Sequence, residues 1–222
     1  MHITLLRHGK PAFQLSGLVR AEALPQIVDA YAVSGIIDEP PRDTKTLAQG
    51  HDLVISSDLP RAVESAHALG IKHIHHKDPL FRETPIPHFS SGRMTLPIGI
   101  WVVVLRILWL FGFSRNGESF TNARRRARQA AERLAQLANE HGNIILVGHG
   151  FINHFIAKEL KTMGWLGPGS SSKGSRSRST LISMRRYTLN QHNYCIDCET
   201  RPLSTTRSLR RPGQHRDLAE RC

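Results

Sequence analysis

The first 194 residues of this 222-residue chain contain no cysteine. The three cysteines, Cys195, Cys198 and Cys222, all stand near the carboxyl end, so residues 1–194 form no internal disulfide. A reducing, cytoplasmic setting is the expectation. Cys195 and Cys198 make a single Cys-x-x-Cys with no second pair, which argues against structural zinc and against thioredoxin-type redox chemistry. His73, His75 and His76 lack a carboxylate at a persuasive spacing, so no metal site is read there. The opening stretch HITLLRHG has neither the basic region nor the long apolar stretch and small-residue cleavage site of a secretory leader. It is expected to be part of the mature structure.

Long apolar runs are scarce too. The one such stretch is LPIGIWVVVLRILWLFGF, residues 96–113. It is barely long enough to span a bilayer, and Arg106 near its middle would cost about 2.5–3.5 kcal/mol on insertion scales. A helix packed over the domain is the favoured reading, with a membrane-surface or partner-binding helix as the alternative and a true span third.

What the chain does have is enough apolar sequence, 40% of its residues, for one domain with a sizeable core. Its formal net charge of +12 is uneven: residues 173–222 hold 11 Lys and Arg against 4 Asp and Glu. From GPGSSSKGSRSRST, residues 167–180, the sequence becomes basic and low in complexity. The expected organisation is a domain over 1–168 and a basic tail over 169–222. Anionic membrane or nucleic acid is the partner class such a tail suits. TLISMRRYTL, residues 180–189, could still add an edge strand.

Three segments repeat one pattern of short apolar run, polar or glycine-containing turn and helical period: HITLLRHGK from His2, HDLVISSDLPRAVESAHALG from His51 and GNIILVGHGFINHFIAKELKTMG from Gly142. In the second, Ser57 or Asp58 is placed to cap a helix, Pro60 suits its first turn, Val63, Ala66 and Leu69 form an apolar face, and Gly70 can end it. ESFTNARRRARQAAERLAQLANEHG spaces Phe120, Ala123, Ala127, Ala130, Leu134 and Leu137 by three or four, with Gly142 closing the helix. Arg124 to Arg128 read as its solvated face. Strands alternating with helices predict an α/β fold, a three-layer α/β/α sandwich on a mostly parallel sheet, with ligands at the strands' carboxyl ends. His8, Arg61 and His149 fall at such ends.

LLRHG, SSDLPRA and LVGHG together resemble the histidine phosphatase (phosphoglycerate mutase-like) superfamily over roughly residues 1–165. The resemblance implies that His8 is the nucleophile and that Arg7, Arg61 and His149 bind the phosphoryl group. Physical chemistry agrees: phosphoryl transfer needs cations around three charged oxygens, arginine binds two of them at once, and an imidazole can carry the group covalently. No metal or cofactor is required. The family's proton donor is a carboxylic acid from a loop after the second strand-helix unit, and Glu83 in PLFRETPIP is the choice, ahead of Asp78 and Glu118. Lys10 and Asn153 are weaker candidates for the pocket.

Mutase members follow the first triplet with Glu-Thr and Trp-Asn and later carry Asp-x-Pro-Leu, whereas this chain reads RHGKPAFQLSGLVRAEAL. Phosphomonoester hydrolysis on a small phosphorylated molecule or a phosphoprotein is therefore the expected function. A phosphoglycerate mutase-like phosphotransferase is the second reading, and a non-catalytic anion-binding or membrane-adaptor protein the third. The apolar stretch stands where family members vary the cap over the active site, and an apolar cap suits something other than a small, highly charged sugar phosphate.

Overall fold

Each of the three repeated segments folds as a strand whose carboxyl end leads into the connection or helix that follows. In the computed structural model, which describes residues 1–13, 16–167 and 187–190, the elements run β1 (His2–Arg7), β2 (Leu18–Arg20), α1 (Leu24–Ala32), α2 (Arg42–Ala48), β3 (Leu53–Ser56), α3 (Pro60–Ala68) and β4 (His76–Lys77). They continue as β5 (Thr95–Pro97), α4 (Ile98–Leu110), α5 (Phe120–His141), β6 (Asn143–Gly148), α6 (Gly150–Thr162) and β7 (Tyr187–Asn190).

The main sheet has the order β4-β3-β6-β1-β7, in which β4, β3, β6 and β1 are mutually parallel. Strand β7 joins antiparallel, with His2 opposite Asn190 and Leu5 opposite Tyr187. It overlaps the stretch where an edge strand was expected, so the sheet takes one strand from beyond residue 168. The rest of the basic region after 168, including Cys195, Cys198 and Cys222, lies outside the described residues.

Alternation along the strands supplies two cores. Ile3, Leu5, Leu53, Ile55, Ile144 and Leu146 point to one face and pack against α5 and α6 through Ala127, Leu134, Ile152 and Ile156. Leu6, Val54, Ile145 and Val147 point to the other and meet Ala48, Ala62, Ala66 and Leu69 of α2 and α3. This is the expected three-layer α/β/α sandwich. The near-continuous apolar strands suit a parallel sheet covered on both faces.

Helix α5 begins as its sequence dictates, with the Ser119 hydroxyl accepting from the Asn122 amide at 3.1 Å. It ends at Gly142, whose φ of 86° suits a residue without a Cβ. Helix α3 departs from its expected start. Leu59 is the capping residue and no side chain caps the helix: Ser57 accepts from the Leu59 amide, while Asp58 pairs with Arg82. Its buried face is Ala62, Ala66 and Leu69, with Val63 only half-buried.

The apolar stretch forms helix α4, which packs over the domain as the favoured reading expects. Ile98, Trp101 and Leu105 join Val19, Ala21 and Leu24 in a third core, beneath the two-stranded sheet of β2 and β5. The Trp101 indole donates to the Val19 carbonyl at 2.8 Å. Among the described residues, no helix is long and apolar enough to cross a membrane.

Candidate functional site

The register of the central strands sets Arg7 opposite Gly148, so the residues that follow each strand, His8 and His149, emerge side by side. Their ring centroids are 4.9 Å apart with a 60° tilt. Both are buried, at 3% and 0% exposure. The His8 Nδ1 lies 2.6 Å from the Gly9 carbonyl oxygen, which can only accept, so Nδ1 carries the proton and Nε2 keeps its lone pair. Burial, reinforced by Arg61 and Arg7, lowers the His8 pKa to about 3, the Gly9 carbonyl opposing. His149 is shifted down by its burial and by His8, Arg61 and Arg7. Neither of its ring nitrogens has a hydrogen-bond partner among the described residues.

Glycine at position 9 answers a packing demand. A Cβ there would come within 2.2 Å of the Asp38 carboxylate, which accepts from the Lys10 amide at 2.6 Å. The Gly9 amide donates to the Ser65 hydroxyl at 2.9 Å, and that hydroxyl donates to the Arg61 carbonyl at 2.6 Å. One serine of α3 thus couples the first triplet to Arg61.

Arg61, 2% exposed, points one guanidinium nitrogen at the Tyr31 and Ala32 carbonyls, at 3.1 and 3.4 Å, and lies 4.8 Å above the Tyr31 ring. Its buried Nε has no partner among the described residues. Arg7 runs along the start of α6, close enough that a Cβ on Gly150 would touch its guanidinium at 3.6–3.7 Å. Orphaned donors beside two cations make a cradle suited to an anion.

Glu83 faces the same cradle from the loop after β4. Its Oε2 accepts from the Phe151 amide and its Oε1 from the Ile152 amide, both at 3.1 Å, so it closes the first turn of the helix that His149 begins. Its charge also reaches Arg61 and Arg106. The structure thereby brings together Arg7, His8, Arg61, Glu83 and His149.

The weaker candidates take other work. Asp78 caps a 3-10 turn through the Leu80 amide at 2.8 Å. Glu118 is held by both ends of the Arg126 guanidinium, at 3.0 and 2.7 Å. Asn153, buried, donates to the Leu6 carbonyl at 2.9 Å and ties α6 to β1. The Lys10 side chain is exposed. Among the described residues, no group of three or more His, Cys, Asp or Glu side chains could hold a metal ion.

Two arginines have roles the sequence did not signal. Arg126 belongs to the run read as solvated, yet it turns inward and donates to the carbonyls of Leu80 and Arg82, at 2.9 and 2.7 Å, just before Glu83. Arg106 donates to the Thr84 hydroxyl and carbonyl, at 3.0 and 2.8 Å, and stacks 4.3 Å from the Phe151 ring. The only available signal was a lone cation in an apolar helix.

No curated protein matches the chain. Among solved structures, a mycobacterial glucosyl-3-phosphoglycerate phosphatase in complex with VO3 is 20% identical over 73% of this chain and 82% of that one, with a TM-score of 0.48. The Entamoeba histolytica phosphoserine phosphatase in complex with 3-phosphoglyceric acid is 19% identical over 72% and 80%, with a TM-score of 0.49. The alpha-ribazole phosphatase from Shigella flexneri is 17% identical over 72% and 79%, at 0.47. The family described as the histidine phosphatase superfamily (branch 1) matches residues 44–172, more than half of the chain. That match contains Arg61, Glu83 and His149, and β1 delivers Arg7 and His8 to them from outside it: the chain belongs to the histidine phosphatase superfamily, branch 1.

Proposed function

We propose that the protein hydrolyses phosphomonoesters through a phosphohistidine on His8. The observation that carries this reading is the tautomer of His8. Its Nδ1 proton is spent on Gly9, its neutral form is favoured by burial and by two arginines, and Nε2 is left as a nucleophile beside His149.

In the first step the Nε2 lone pair bonds to phosphorus, the ester P–O bond breaks, and the leaving oxygen takes a proton from Glu83. In the second, a water oxygen bonds to phosphorus, the P–Nε2 bond breaks and returns its electron pair to His8, the Glu83 carboxylate takes a proton from the water, and inorganic phosphate leaves. Arg7 and Arg61 supply the positive charge that spreads over the phosphoryl oxygens, and a neutral His149 supplies one further donor. No metal enters either step.

The catalytic domain in this reading is residues 1–168, completed at the sheet edge by β7, with 96–113 as its cap, and the substrate is a small phosphorylated molecule or a phosphoprotein. Hydrolysis is favoured over transfer because Lys10 and Pro11 replace the mutase continuation, and their backbone is engaged with residues 36–38. The cysteine-free stretch 1–194 supports a reducing, cytoplasmic setting.

The test is release of phosphate from an aryl phosphate in the presence of a chelator, with rapid quenching to trap acid-labile, base-stable label on the protein. Label that persists in His8→Ala overturns the assignment.

A further inference from the structure

Helix α4 turns its apolar side outward as well as inward. Ile98, Trp101, Leu105 and Trp109 are buried, while Ile100, Val103, Val104, Ile107, Leu110 and the following Phe111 are exposed, Phe111 at 86%. These six occupy one continuous helical face without a polar side chain among them. The helix's single charge, Arg106, sits at the edge of that face and is drawn inward by Thr84 and Phe151.

The rim is basic. Residues 84–117 contain no Asp or Glu, and Arg93 and Arg115 flank the helix from its two ends, both exposed. An exposed apolar face of this size marks an interaction surface, and its charge pattern selects the partner. A two-fold contact with a second copy would bring the same arginines together, with no acidic partner in the segment to meet them.

We propose that this face docks α4 flat onto an anionic lipid bilayer. The six apolar side chains enter the headgroup–acyl boundary while Arg93 and Arg115 meet lipid phosphates and carboxylates. Thirteen residues rise about 20 Å, short of the hydrocarbon thickness, so the helix lies on the membrane rather than through it. The proposal does not depend on the phosphohistidine chemistry.

The experiment is co-sedimentation of the full chain with phosphatidylcholine vesicles, with and without phosphatidylserine, at physiological salt. Binding is expected only with phosphatidylserine, and the double variant Val103→Ser/Ile107→Ser should lose at least about tenfold in affinity. Both substituted side chains are exposed and leave the charge unchanged, and turnover of a soluble aryl phosphate, equal to that of the parent chain, shows that the fold survives. Undiminished vesicle binding by this variant would assign the interaction to other basic sequence and overturn the proposal. So would failure of the parent chain to bind while light scattering shows a dimer that the variant abolishes.

Discussion

The imidazoles of His8 and His149 stand 4.9 Å apart at the ends of adjacent parallel strands, both neutral and both within the field of Arg61 and Arg7. Two histidines that resist protonation beside two permanent cations divide the labour: charge comes from the arginines, while the rings offer a lone pair and a neutral donor.

That division gives the two rings different mutant behaviour. In the proposed mechanism His149→Ala removes one phosphoryl donor and is expected to lower kcat by about 10²–10³, while label still accumulates on His8. His8→Ala is expected to abolish both. Rapid-quench labelling beside steady-state turnover separates the two, and equal loss of label in both variants would reassign His149.

The depressed pKa of His8 also predicts acid sensitivity. Folded, the ring titrates at about 3; unfolded, it returns to 6.5, so between those values the unfolded chain binds a proton that the folded chain refuses. Stability therefore falls as pH falls through this window, by about 3 kcal/mol between pH 7 and pH 4 from His8 alone. His149 acts in the same direction. Urea midpoints measured across this range should move less in His8→Gln than in the parent protein.

Arg126 holds Glu118 and the carbonyls of Leu80 and Arg82 with one guanidinium, its side chain and that of Glu118 being 18% and 19% exposed. Arg126→Met leaves a half-buried carboxylate and two carbonyls unpaired. A loss of about 2 kcal/mol is expected, less than a fully buried pair would cost. Because those carbonyls lead into Glu83, kcat on alkyl phosphates should fall more than KM rises. Adding Glu118→Met should recover stability but not kcat. Recovery of both would make the role of Arg126 purely structural.

What could be read from the chain follows the range of the forces involved. Apolar runs ending in RHG and GHG announce buried strands with chemistry at their tips, and the Phe120 to Leu137 spacing announces α5, because each rests on near neighbours in sequence. Arg126 could not be placed, since the carbonyls that draw it inward lie 44 and 46 residues away. Arg106 likewise turns from an insertion cost into a tie to Thr84, 22 residues distant. The cap of α3 shows a local competition going the other way: Asp58 had the chemistry to cap, but Arg82 takes its carboxylate and Leu59 fills the position. Glu83 was legible as an acid in a stiff loop, but its grip on the amides of α6 was not, because that contact spans 68 and 69 residues.

In the proposed reaction this grip leaves Glu83 with two separable duties. As a cap, it satisfies amides of Phe151 and Ile152, a contribution of about 1 kcal/mol that Glu83→Ala removes and Glu83→Gln keeps in part through its amide oxygen. As the proton donor it matters only when the leaving oxygen is basic. Glu83→Gln should therefore slow the first step, read as rapid-quench labelling of the protein, by about 10²–10³ with an alkyl phosphate and leave labelling by p-nitrophenyl phosphate, whose leaving group departs as the anion, within a few-fold of the parent. Melting temperatures of the two variants report the cap, and the ratio of labelling rates with the two esters reports the proton. If Glu83→Gln slows labelling by both esters equally, the proton comes from another group.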